Sequence, residues 1–203
     1  MPDIQQSISL IHHRLKEASL VLDVCAPSVP NPDPSPGLSW APPPLGWIKI
    51  NTDAALSSSK VSLAVLARDH NGVPIKAWAR ISKNLSPIQA EAEALLWAVK
   101  LAKRESWSHI IFEGDAKGVF DSLTSKRVPP DWSIRAAVTD ILALSEDFQV
   151  SSFNWVKRTC NSAAHSTAKF ALNFNVSCFF NKENLPPAIL ATCKIDSPRC
   201  SFL

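Results

Sequence analysis

The stretch Pro87–Asp115, PIQAEAEALLWAVKLAKRESWSHIIFEGD, decides how this chain reads. Ser86 suits a helix N-cap and Pro87 a first helical turn, and the run to Lys103 is rich in Ala, Leu and Lys with no further Gly or Pro. The spacing predicts one long helix. Its first turns carry two acids that point to different faces. From Glu91, steps of three and four reach Ala94, Leu95, Ala98, Leu101 and Ala102, an apolar stripe that should face a core. Glu93 leads instead to Trp97, Lys100 and Arg104, a face that water can reach. An acid heading a buried stripe needs a partner, a proton or a metal; the competing reading is that Glu91 only answers the positive end of the helix. His109 to Gly114 then reads as a short buried strand, and Asp115 follows at its C-terminal end, where open α/β sheets place ligands.

Upstream of this stretch the text is strand-like. WIKINTDAA alternates Ile48, Ile50 and Thr52 against Lys49, Asn51 and Asp53, which puts Asp53 at the end of a first strand. A polar turn at 57–60, the apolar run VSLAVLARD, a hairpin turn at Asp69–Gly72 and the run PIKAWARI give three antiparallel strands. Downstream come a short helix near Lys117–Thr124, a Pro-Pro break at 129–130 and a helix from about Ser133 to Leu144. A strand from Val150 and a last helix from about Asn161 to Leu172 close the pattern. That order predicts an α/β protein with a mixed five-stranded sheet, three antiparallel strands first, covered by helices on its faces.

The flanks differ in kind. Residues 1–25 contain an amphipathic segment with Ile8, Ile11, Leu15, Ala18 and Leu22 at helical spacing, a helix that needs a surface to pack on and is a candidate contact for a protein partner. Residues 26–45 form a linker holding eight of the chain's sixteen prolines. The folded domain is expected over 46–172, followed by a tail, 173–203, that lies over it. The five cysteines of the whole chain are scattered and follow no signal peptide, which predicts reduced thiols in a soluble intracellular protein, nuclear or cytoplasmic. The apolar runs are too short and interrupted to span a membrane. A net charge of +3 neither announces nor excludes nucleic acid. Cys178, Cys193 and Cys200 lack a close Cys-x-x-Cys pair, and Cys160 with His165 lacks an orienting acid nearby in sequence, so neither a zinc site nor a cysteine nucleophile is expected.

Three acids, Asp53, Glu91 and Asp115, therefore have comparable settings, and carboxylates crowded together usually persist because divalent cations bridge them. INTDAA at the first acid, VSLAVLARDHNGVPIKAWAR, AEAEALLWAV at the second, HIIFEGD at the third and FNWVKRTCNSAAHSTAKFAL resemble, in order and spacing, the ribonuclease H-like superfamily. More narrowly they resemble the type-1, reverse-transcriptase-associated domains of plant retroelement-derived proteins. The resemblance covers about Gly46 to Leu172 and selects Glu91 over Glu93. It implies a two-metal endonuclease, using Mg²⁺ or Mn²⁺, that cuts the RNA strand of an RNA-DNA hybrid, with Asp53, Glu91 and Asp115 as metal ligands. Active members usually carry a fourth acid in the pattern Asn-x-x-Ala-Asp. Here the last helix reads Asn161, Ser162, Ala163, Ala164, His165, so His165 is either the fourth site residue or a helix-surface residue. Ala54 and Ala116 stand where Gly and Ser are common. The alternative function is a catalytically degenerate module on the same fold that binds nucleic acid or protein.

Overall fold

The computed structural model describes residues 39–125 and 130–196. The predicted N-terminal helix and most of the proline-rich linker lie outside them. The elements follow the expected order: β1 (Ile48–Leu56), β2 (Val61–Arg68), β3 (Pro74–Ser82), α1 (Pro87–Arg104), β4 (His109–Gly114), α2 (Lys117–Thr124), α3 (Arg135–Ser145), β5 (Val150–Trp155) and α4 (Ser162–Phe174). Two more follow in the tail, β6 (Cys178–Asn181) and α5 (Pro187–Asp196). The sheet has six strands rather than five, in the order β5-β4-β1-β2-β3-β6. β4 pairs in parallel with both β1 and β5, and the remaining pairings are antiparallel. The sixth strand escaped the sequence reading because CFFN is too short to show an alternating pattern.

α1 forms because its ends and its faces agree. Ser86 and Gln89 make a reciprocal capping box, Pro87 opens the first turn, and Lys103 and Arg104 sit in the last turn where the helix dipole favours cations. The predicted stripe of Ala94, Leu95, Ala98, Leu101 and Ala102 is buried, and so are Ala92, Leu96 and Val99. The apolar face is wider than the stripe because α1 is packed both on the sheet, through Ile50, Val65, Ile110 and Phe112, and against Ile134, Ala137, Val138 and Ile141 on the α3 side. Each large aliphatic side chain buried there contributes roughly 2 kcal/mol. The other sheet face is closed by α4, whose Ala168 and Ala171 pack on Ala55, Ala64 and Ala79. Small residues on both sides let this helix lie close to the strands.

β1 alternates in residue type but not in burial. Lys49 and Asn51 are buried, since this central strand is covered on both sides. Buried polar groups require partners, and the flanking segments provide them. Lys49 Nζ lies 2.7 Å from Glu113 Oε1 and donates to the Ala41 carbonyl at 2.7 Å. Asn51 Oδ1 accepts from Trp40 Nε1 at 2.9 Å and from Arg68 Nη2 at 2.8 Å. Arg68 donates to Asp196 Oδ1 at 2.7 Å with both side chains fully enclosed, and its guanidinium lies 3.6 Å from the centre of the Trp40 ring. Asp196 Oδ2 accepts from the Ala163 N–H at 3.2 Å, at the head of α4.

Contacts with the domain run beyond the expected limits at 46 and 172 on both sides. Trp40 lies in the predicted linker and Asp196 in the predicted tail, yet both complete the polar layer beneath β1. Removing one member of a buried ion pair leaves the other charge uncompensated, at a cost of about 3–5 kcal/mol. Asp196→Ala should therefore lower the urea-derived unfolding free energy by about 3 kcal/mol, and truncation after Leu172 should abolish the cooperative transition. Unchanged denaturation of both variants would show that the tail is dispensable.

Candidate metal centre

β4 pairs with β1 only as far as Thr52 opposite Gly114, while β1 runs on against β2 alone. Asp53 is the first β1 residue past that point. It lies inside the strand rather than at its end, and its side chain is fully buried. Gly114 closes β4 because nothing larger fits: a Cβ there would meet the Phe120 ring at 2.7 Å and Thr52 Oγ1 at 3.1 Å. The close approach of α2 to the strand delivers Asp115 to the same opening. Glu91 reaches it from α1, in the second turn rather than the first, so the helix N-terminus does not account for it.

One carboxylate oxygen each from Asp53, Glu91 and Asp115 lies within 4.8 Å of the others, and this is the one cluster of metal-ligating side chains among the described residues. Glu93 points elsewhere, 3.6 Å from Arg80 Nη2. Ala54 fits its place, with its methyl packed among Leu63, Ala90 and Ala94. Ala116 heads α2 without a side-chain cap.

His165 is brought to the cluster. Its Nδ1 is 2.9 Å from Asp53 Oδ2. Two further residues complete the site, and the sequence reading assigned neither a role. Arg158 Nη1 donates to Asp115 Oδ2 at 2.7 Å and to Asp53 Oδ1 at 3.1 Å, and its Nη2 lies against the His165 ring, 3.0 Å from Nε2. Asn161 Nδ2 donates to the Thr52 carbonyl at 2.9 Å and to Asp115 Oδ1 at 3.3 Å. Trp155 Nε1 donates to the Asp115 carbonyl at 3.0 Å while its ring remains partly exposed. The available signal was positional: Arg158 and Asn161 follow β5 at the strand end where Asp115 follows β4.

Burial and the neighbouring Asp53 and Asp115 charges push the Glu91 carboxyl up to about 9, against a smaller opposing effect of a hydrogen bond from the Ala54 backbone. Burial also raises Asp53, although its hydrogen bond to His165 and the charge of Arg158 pull it down. Burial disfavours the Arg158 cation, but the Asp115 hydrogen bond and the Asp53 and Asp115 charges outweigh it and strengthen its hold on the proton. Three carboxylates this close carry more negative charge than one guanidinium offsets, and an all-oxygen set suits a hard divalent cation. The donor set therefore fits a metal at Asp53, Glu91 and Asp115, and a nitrogen ligand, His165, is the fourth group at hand.

The strand order, with these acids gathered at the end of the β1/β4 pairing, is that of a ribonuclease H-like fold. It is similar to ribonuclease H1 from the halophilic archaeon Halobacterium salinarum NRC-1, with a TM-score of 0.59 and 22% identity over 63% of this chain and 98% of that one. LC11-RNase H1, solved in complex with an RNA/DNA hybrid and isolated from compost by a metagenomic approach, gives a TM-score of 0.58 and 14% identity over 63% of this chain and 98% of that one. The N-terminal RNase H domain of rv2228c from Mycobacterium tuberculosis gives 0.56 and 13% over 64% and 99%. No curated relative matches the chain by sequence. The model of the reverse transcriptase-like family matches residues 51–171, more than half of the chain, and the chain belongs to that family. Among the described residues no helix is long and apolar enough to cross a membrane.

Glu91 makes stability in EDTA depend on pH. The folded carboxyl holds its proton up to about 9 whereas the unfolded one releases it near the ordinary value of 4.5, so between these values the folded state binds more protons. Its contribution is complete below about 4.5 and is lost as pH rises through about 9. Thermal melts in EDTA should fall steadily across that window. Glu91→Gln should flatten the fall and melt several degrees higher at pH 8. A wild-type midpoint independent of pH over this range would contradict the crowding of the three acids.

Proposed function

We propose that this protein acts on nucleic acid as a ribonuclease H-type endonuclease, cutting the RNA strand of an RNA-DNA hybrid. The observation that carries the reading is the convergence of Asp53, Glu91 and Asp115 within 4.8 Å at the end of the parallel strand pair. Family membership and the hybrid bound by LC11-RNase H1 support the substrate class. A divalent cation bound there supplies Lewis acidity to a phosphodiester and lowers the pKa of a water. Asp53 and Asp115 would hold it, Asp53 being fully enclosed and Asp115 oriented by Asn161. Glu91 would complete the set by giving up the proton that its crowded setting favours. Asn161 ties the head of α4 to the middle of β1 through the Thr52 carbonyl, which fixes His165 relative to Asp53. The exposed Trp155 ring, bonded to the Asp115 carbonyl, flanks the opening with an apolar plane suited to a sugar or base.

His165 favours a second reading, a domain that keeps the fold and binds nucleic acid without cutting it efficiently. Imidazole nitrogen is a poorer ligand for Mg²⁺ than a carboxylate and better suited to Mn²⁺. Labelled RNA-DNA hybrid should be cleaved weakly, faster with Mn²⁺ than with Mg²⁺, and Asp53→Asn should reduce cleavage to background. His165→Asp should raise the Mg²⁺-dependent rate by about tenfold or more. Hybrid binding in EDTA without cleavage by either the wild type or His165→Asp would favour the second reading and overturn the first.

A further inference from the structure

We infer that Arg158 is a built-in counter-ion that competes with divalent metal for the Asp53 and Asp115 carboxylates and must swing outward before metal can bind them. The inference rests on the proposed metal site and adds an occupant to it. A single guanidinium nitrogen, Nη1, is shared by Asp115 Oδ2 at 2.7 Å and Asp53 Oδ1 at 3.1 Å, two of the three acids whose oxygens converge. The guanidinium thus spans the same carboxylates that a bridging cation would need. It also lies against His165, the fourth polar group of the cluster. Arginine keeps its charge at every accessible pH, so it cannot relieve repulsion from a divalent ion by losing a proton; it can only move.

The local structure permits that movement. Arg158 stands on a short 3-10 turn, Arg158–Cys160, between β5 and α4, and its side chain is 51% exposed while Asp53 is fully enclosed. The backbone of the turn is held by the Asn161 N–H donating to the Arg158 carbonyl at 3.0 Å, so the side chain can leave without unfolding the head of α4. The opposite role is that of a support that merely orients Asp115 for metal. The two roles predict opposite signs. Loss of a competitor tightens metal binding, whereas loss of a support weakens it.

The test is Mn²⁺ binding to the full chain by isothermal titration calorimetry at fixed ionic strength, paired with thermal melts in EDTA. Arg158→Ala should tighten Mn²⁺ binding by about tenfold or more, because a unit charge a few ångströms from a divalent ion is removed. The same variant should melt lower in EDTA, where the crowded acids lose their counter-ion. Arg158→Gln, which keeps amide donors without the charge, should shift both quantities in the same directions and serves if the alanine variant does not fold. Arg158→Lys should fall between. Equal or weaker Mn²⁺ binding by the folded Arg158→Ala or Arg158→Gln protein, beside measurable binding by the wild type, overturns the inference and leaves the metal site standing. Absence of Mn²⁺ binding in the wild type and both neutral variants overturns the metal site as well.

Discussion

The fully enclosed carboxylate of Asp53 is the constraint around which this structure is arranged. A charge taken out of water must be matched by hydrogen bonds and opposite charge, or it will hold its proton instead. The chain meets that requirement from two directions. Arg158 and His165 approach from the β5–α4 connection and α4, while Asp115 presses additional negative charge against it and Glu91 stands close by. Such a balance suits exchange: one guanidinium offsets part of the charge, and the remainder favours a proton on Glu91 or a divalent cation.

The geometry that makes the site possible is a mismatch of strand lengths. β4 leaves β1 at Gly114, and β1 continues with only β2 beside it. The gap this creates is where Asp53 and Asp115 meet, and Gly114 is held to glycine by the Phe120 ring and Thr52 hydroxyl that crowd it. Asn161 bridges the same gap from α4 by bonding both Thr52 and Asp115. Packing and chemistry therefore depend on each other here: the close helix–strand contacts that fill the core also set the separation of the acids.

A second polar layer lies on the α4 face of the sheet, and it explains why the domain extends beyond its recognisable motifs. Buried under α4, Arg68 takes its carboxylate partner from Asp196 and Asn51 accepts one of its two hydrogen bonds from Trp40, both residues outside those motifs. Because Asp196 also receives the Ala163 N–H, the C-terminal helix is joined directly to the head of the helix that carries His165. The tail is part of what holds the site's fourth group in place.

The sequence by itself determined the order of the elements and the three acids. Capping at Ser86, the Glu91 stripe and the alternation of β1 are local patterns, written within a few residues of one another. Choosing Glu91 over Glu93 needed only the helical period. What the tertiary structure decided was everything that depends on distant segments meeting. Arg158 reaches Asp53 across 105 residues and Arg68 reaches Asp196 across 128, separations at which no periodicity signals a contact. The alternation of β1 records chemistry and not coverage, and only the packed helices and flanks show that its polar face is buried. His165 was left between a site and a surface role for the same reason: its direction is set by how α4 docks, a property of the whole sheet and not of the five residues from Asn161 to His165.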